Sequence, residues 1–356
     1  MQLVVTLLAL GSVFAMLAWL LGPALNWMPI DFCRFYRASK MILNGRNPYG
    51  SVPFFSPPWL AFILSPLLLL PCSSAAVAWV LMNTTLHIGS SQALATLIPL
   101  ARRHRLPIAI LSALLPYGVF VYITGQLSIL ALVSCTLWAW GLERKHQGAL
   151  TAGLLVATLK PHIVVLPMLL VLLELIRRRR WSSLLVVSAV LASLSIVAVV
   201  FVPAWPPALL RCWADGAFYE PRENLLGLAA FGVPVWLTYP FGVYTLLLWW
   251  QRRLDVHTLA LGVAVNLLVI PYSRSYDYVV LLLPLATILR SPSSARRGVA
   301  LVFAILAQLL PLIRAVEPAA GLAEALAPTL CTAGLLAVSR LRWKDLVLPG
   351  RPAQRL

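Results

Sequence analysis

Apolar runs follow one another along almost the whole chain, at about 3–22, 58–71, 74–99, 106–123, 126–142, 148–159, 163–176, 182–202, 232–250, 256–271, 278–290, 298–314 and 319–339, and most charged residues fall in the short stretches between them. A water-soluble core has no use for so much apolar surface: 61% of the 356 residues are hydrophobic and 11% charged. The expected fold class is therefore all-α integral membrane, one polytopic helical bundle over 1–356. A spanning helix takes roughly 20 residues, so about ten or eleven crossings fit and no large soluble domain is left over. The run 3–22 has no basic leader segment and is followed by many more spans, which predicts a first transmembrane helix rather than a signal peptide. No internal repeat is visible.

A net charge of +17 would suggest nucleic acid in a soluble protein. Here the cations are gathered between apolar runs, as Arg102-Arg103-His104-Arg105, Arg144-Lys145, Arg177 to Arg180, Arg252-Arg253, Arg296-Arg297 and Arg340 to Lys344. That is the positive-inside pattern. It predicts that these loops and the basic tail 340–356 are cytoplasmic, that nucleic acid is not a partner, and that 23–57 and 203–224 are external loops of a multi-pass cell-membrane protein. One parity problem arises. If 58–71 and 74–99 both cross, Arg102 to Arg105 fall on the wrong side, so the first run, interrupted by Pro66 and ended by Pro71, is expected to be short or re-entrant.

Residues 31–58 form the longest polar interval in the first hundred. On a helix, Asp31, Phe35, Ala38 and Ile42 share a face, Arg34, Arg37 and Lys40 an adjoining strip, and Phe32, Tyr36 and Leu43 a second apolar strip. Gly45 can end that helix, and Asn47-Pro48-Tyr49 followed by Pro57-Pro58 reads as a rigid turn. A basic, aromatic, amphipathic helix of this kind lies at a membrane surface. Asp31 at its start reads, on spacing alone, as a cap.

Elsewhere, polar residues in or beside apolar runs are few. Lys160-Pro161-His162 breaks a run, and a lysine there must be paired, bind an anion or snorkel to the interface. His162 is either functional or a satisfied structural histidine. Gln126 follows Gly125 at a helix start, where an amide caps or reaches a ligand. Arg274 and Asp277 share an external turn, so the arginine pairs with the aspartate or with an anion, and Arg46 can also reach one. Glu143, Glu174, Asp255 and Asp345 lie beside the basic clusters and read as salt-bridged or solvated. The segment 203–224, with Trp205, Trp213, Phe218 and Tyr219, reads as an interfacial helix that anchors or stacks on sugar. There is no Asp-x-Asp, no His/Glu cluster with metal spacing and no Gly-rich phosphate loop, so neither a metal nor a nucleotide-sugar donor is expected. Among the cysteines, Cys33 and Cys212 fall in external loops and could pair, while the other three read as helix core.

Asp31-Phe32, then Phe35-Tyr36-Arg37-Ala38, Gly45, Asn47-Pro48-Tyr49 and an aromatic before Pro57-Pro58 together resemble the first external loop of glycosyltransferase family 87. Gly125-Gln126, Lys160-Pro161 after Gly153-Leu154, and Tyr276-Asp277 are further matches, and Ser56 stands where the family usually has the Tyr of Tyr-Pro-Pro. The resemblance implies a GT-C-type bundle with external interfacial helices. It further implies a polyprenyl-phosphate-sugar-dependent hexosyltransferase, in that family a mannosyltransferase, with Asp31 as catalytic base. The phosphate of such a donor is already a good leaving group, so one base and fixed cations suffice. On that reading Lys160 would bind the donor phosphate, with His162, Arg274, Gln126, Asp277 and Arg46 around the phosphate and sugar. Asn47, Tyr49, Pro57 and Pro58 would hold the loop. The partners would be the lipid-linked sugar, a lipid or glycan acceptor and membrane lipids, and the active site would face outward. A non-enzymatic transporter or flippase of lipid-linked sugars, and a structural membrane subunit, are the alternative classes.

Overall fold

The computed structural model describes residues 29–215, 234–270, 273–290, 326–338 and scattered positions between 298 and 310. The run 3–22, the second loop beyond 215 with Glu220 and Glu223, the cluster at Arg296-Arg297 and the tail 340–356 lie outside the described residues.

Every element described is helical. In chain order these are α1 (Ile30–Leu43), α2 (Trp59–Leu64, continued by a 3-10 turn Ser65–Leu69), α3 (Cys72–Ala95), α4 (Arg102–Ala113), α5 (Pro116–Thr124), α6 (Ser128–Arg144) and α7 (Gln147–Ala157). After a 3-10 turn at Pro161–Val164 come α8 (Val165–Arg177), α9 (Trp181–Phe201) and α10 (Trp205–Asp215). The remainder is a 3-10 turn Val235–Thr238, α11 (Tyr239–Arg252), α12 (Val256–Val269), a 3-10 turn Ser275–Leu281, α13 (Leu282–Leu289) and α14 (Leu326–Val338).

By length and composition, α9 is long and apolar enough to cross a membrane, and its outer face is bare of protein contacts, with Leu185, Ile196 and Val200 exposed. Two bent pairs pass the same test if each counts as one span: residues 59–69 with α3, and α4 with α5. The first pair turns by 117°, so 58–71 is a short arm folded against α3. Pro66 near the start of its 3-10 turn and Pro71 as the residue capping α3 remove the amide donors that would carry a straight helix through. The second pair is bent by 56°, where the pattern predicted one helix over 106–123; Pro116 at the start of α5 breaks it. Arg102 to Arg105 are not a loop but the first turn of α4, with Arg102, Arg103 and His104 exposed and Arg105 half-buried.

The apolar side chains gather into two cores. The larger is built on α5, α6, α7, α8, α12, α13 and α14, around Trp138, Tyr117 and Tyr278. Close approach there depends on Gly153: a methyl group at that position would stand 2.5 Å from Trp138 Nε1. The smaller core packs α1, α2, α3 and α10 around Phe32, Phe54 and Trp79. In α1, Phe32, Phe35, Tyr36, Ala38 and Ile42 are buried while Arg34, Arg37 and Lys40 are exposed, so the two apolar strips read from the sequence merge into one docked face. Tyr36 Oη donates to the Leu70 carbonyl (2.8 Å), and Phe32 stacks on Trp79 with centroids 5.8 Å apart.

Candidate functional site

Asp31 lies in the first turn of α1 but makes no cap hydrogen bond; Pro29 occupies the capping position. Its carboxylate is held by two side chains instead. Oδ1 accepts from Arg34 Nη1 (3.0 Å), and Oδ2 accepts from Gln126 Nε2 (2.7 Å). What allows this is Gly125, whose φ of +72° suits glycine. A Cβ there would lie 2.6 Å from Phe32 Cβ and 2.9 Å from Pro29 Cβ, so any larger residue would lift α1 off the turn. The turn itself is held from α3: Trp79 Nε1 donates to Gly125 O (2.9 Å) and Asn83 Nδ2 to Gln126 O (3.3 Å).

Gln126 passes the contact inward. Its Oε1 accepts from Lys160 Nζ (3.0 Å), which also donates to Ser128 Oγ (2.7 Å) and Asp277 Oδ1 (2.6 Å). An ammonium has three donors, and all are engaged. The Tyr276 ring completes the shell, its centroid 4.6 Å from Nζ. Asp277 is fully buried; Ser128 Oγ donates to its Oδ1 (2.8 Å) and the Arg274 amide to its Oδ2 (3.0 Å). Burial pushes the Lys160 ammonium down, against the pull of Asp277. Burial also works against the Asp277 charge, but Lys160 and then His162 outweigh it and hold the carboxyl below its usual range. The break that carries Lys160 is pinned by Asn266 of α12, which accepts from Leu166 N (2.8 Å) and donates to His162 O (3.1 Å).

These groups form one wall of a cavity of about 750 Å³ at the junction of the two cores. Asp31, Arg34, Gln126, Lys160, His162 and Arg274 supply its polar lining, and Phe35, Leu127, Ile270 and Tyr276 its apolar lining. Burial drives the His162 imidazole down to about 4, so it is neutral at ordinary pH. A carboxylate fixed beside cations on a partly apolar wall can take a proton from a hydroxyl and hold an anion next to it.

Of the residues singled out in the sequence, the structure brings Asp31, Gln126, Lys160, His162, Arg274 and Asp277 to this cavity or its wall. Arg46 is exposed and does not line the cavity. Asn47 and Tyr49 act within their own loop: Asn47 Oδ1 accepts from Tyr49 N (3.0 Å), and Tyr49 Oη donates to Ser56 O (3.0 Å). Pro57 and Pro58 lead into α2, their carbonyls accepting from Leu60 N and Ala61 N. From α10, Trp213 lines the cavity and donates to Phe55 O (3.1 Å), and Trp205 packs edge-on against Trp59. Three residues were missed. Arg34 stands in the sequence only as part of a basic strip beside the Asp31 face, Ser128 carries no more signal than any serine at a helix start, and Asn266 is legible only as an amide inside an apolar run.

Two further expectations change. Glu174 pairs with Arg178, but it is 1% exposed rather than a solvated surface residue, and it accepts from Trp249 Nε1 (2.8 Å) as well. No disulfide joins Cys33 to Cys212, because Cys212 packs beneath the loop at Phe54 while Cys33 faces Cys72. Among the described residues no group of three or more His, Cys, Asp or Glu is arranged to hold a metal ion. A comparison of the chain with protein-family models and with curated proteins found no match.

Proposed function

We propose that this chain is an integral-membrane hexosyltransferase of the GT-C type, similar in kind to glycosyltransferase family 87. It moves a hexose, mannose on the family resemblance, from a polyprenyl phosphate to an acceptor hydroxyl at the extracytoplasmic face. The observation that carries the reading is the position of Asp31. Its carboxylate is 16% exposed, fixed by Gln126 at 2.7 Å, and borders a cavity that also presents Arg34 and Arg274.

In this mechanism Asp31 takes the proton of the acceptor hydroxyl as that oxygen attacks the anomeric carbon. The bond from that carbon to the phosphate oxygen breaks, the phosphate leaves as an anion, and the configuration inverts. No general acid is required, because the leaving group is stable as an anion. Arg34 and Arg274 supply positive charge on the wall where that anion departs, and such charge counts for more as the bond breaks than before it. Lys160 supports the site from behind by holding the Gln126 amide, so that its NH₂ end points at Asp31.

The test is transfer by the purified protein from a panel of labelled polyprenyl phosphate sugars to lipid and glycan acceptors, with the Asp31→Asn variant beside it. Labelled product that vanishes in the variant supports the reading. Translocation of the lipid-linked sugar without any acceptor, unchanged in Asp31→Asn, would instead mark a transporter.

A further inference from the structure

Cys33 and Cys72 meet at the foot of the Asp31 helix, their Sγ atoms 3.3 Å apart although 39 residues separate them in the chain. Cys33 is buried on the docked face of α1, two residues after Asp31. Cys72 is the first residue of α3, at the 117° elbow, and it is half-buried. The neighbouring contacts fix both backbones. Tyr36 Oη donates to Leu70 O (2.8 Å), two residues before Cys72, and Phe32 stacks on Trp79 two turns along α3. Two thiols held in van der Waals contact by a packed interface need only a small χ1 adjustment to reach the S–S bond length of about 2.04 Å.

We propose that Cys33 and Cys72 are joined by a disulfide in the assembled protein, a covalent tie between the helix that carries Asp31 and the elbow it rests on. The oxidant is a disulfide-bearing thiol oxidoreductase or an equivalent small disulfide. The Cys72 thiolate, the more accessible, opens that disulfide and forms a mixed one. The Cys33 thiolate then attacks Cys72 Sγ and expels the carrier's second thiolate. The two cysteines lose two electrons and two protons, and the carrier is reduced to a dithiol. The inference shares with the proposed function only the assignment of this end of the molecule to the extracytoplasmic, oxidising side, where such bonds persist. It does not depend on glycosyl transfer.

The experiment counts thiols on protein taken from cells under acid quench and denatured in a maleimide–polyethylene glycol reagent, with and without prior reduction. The chain has five cysteines. Without reduction we expect three adducts, on Cys135, Cys212 and Cys331, and five after it. Peptide mapping should recover the 33–72 cross-link only in the unreduced sample, and a Cys33→Ser variant should give four adducts under both conditions. Five adducts without reduction would overturn the proposal. So would a cross-link that leaves Cys33 or Cys72 alkylated. A parallel arm treats purified protein with oxidised glutathione. If the bond closes there but not in cells, the assignment of the face is at fault, and if it closes in neither the geometry is. Transfer activity enters none of these readouts, so failure of the proposed function is seen separately.

Discussion

Two buried carboxylates sit at different places in the bundle, and only one of them is linked through hydrogen bonds to the wall of the large cavity. Asp277 is wholly buried and bound by Lys160, Ser128 and the Arg274 amide, and its lysine reaches on through Gln126 to Asp31 at the open wall. Glu174 is just as buried, at 1% exposure. Its partners are Arg178 Nε (2.5 Å), Trp249 Nε1 (2.8 Å) and Leu254 N (3.3 Å), and together they staple α8 to the end of α11 and the start of α12. Both arrangements satisfy a charge that burial would otherwise penalise by several kcal/mol. The Glu174 cluster leads to no acid on a cavity wall, whereas the Asp277 cluster leads to Asp31. A buried ion pair by itself therefore says little about function; what distinguishes the first cluster is the partly exposed carboxylate of Asp31 at its open end.

The sharpest way to break this contrast is at that open end. Asp31→Asn keeps the shape and the Gln126 neighbour, so the folded protein and its donor binding should survive. Transfer should fall by about 10²–10⁴-fold, the usual contribution of a general base. Near-normal turnover would remove Asp31 from that role. Lys160→Met comes next. Met keeps the length of the lysine stem and deletes its charge. With Asp277 fully buried beneath it, the same change strands a carboxylate, and a loss of about 3–5 kcal/mol of stability is expected. Lys160→Met combined with Asp277→Asn should recover much of it. Equal thermal midpoints for the single and double variants would show that the pair is not coupled.

Glu174→Gln tests the closed cluster. The amide still accepts from Trp249 but turns an N–H toward Arg178, which is 35% exposed and can retreat to water. A loss of about 1.5–3 kcal/mol is expected, toward the lower end because of that exposure. Transfer per folded molecule should be unchanged. If transfer fell as it does in Asp31→Asn while the midpoint held, Glu174 would belong with the functional group and the contrast would collapse.

The helices were largely legible, because an apolar run between basic clusters admits few other readings, and α1, α6, α8, α9 and α12 fall close to their expected ranges. The arm at 58–71 was legible from Pro66 and Pro71 together with charge parity. The break before Pro116 was not, since the hydrophobicity there is continuous. At the site, the sequence identified Lys160 as a cation that must be paired, anchored or bound to an anion. It could not select Asp277, 117 residues away, any more than Gln126 for Asp31 across 95 residues. Cys72 was read as core for the same reason: spacing carries no information about which elements meet. The salt bridge expected of Glu174 is present, but its burial was not legible, because Trp249 and Leu254, which bury it, come from 75 and 80 residues on.

The smallest expected effect separates the two clusters by pH. His162 lies in the break beside Lys160, outside the candidate spans. Burial holds its imidazole near 4, with Asp277 pulling upward and Lys160 pushing down. Arg274, Arg34 and Asp31 line the same cavity. In the unfolded chain the same ring titrates at about 6.5. Between those values the unfolded state binds a proton that the folded state refuses, so stability falls as pH drops from 6.5 toward 4 and is unaffected by this group above 6.5. Because the ring keeps partial access to the cavity, the expected loss is about 1 kcal/mol rather than the roughly 3 kcal/mol of complete burial. Replacing the ring by an uncharged amide in His162→Gln should flatten that part of the thermal-midpoint profile measured in detergent. It should leave the response of Glu174→Gln unaltered. An identical acid slope in wild type and His162→Gln would mean that the ring takes up its proton as readily in the folded protein as in the unfolded chain, so that burial in the break does not exclude the charge.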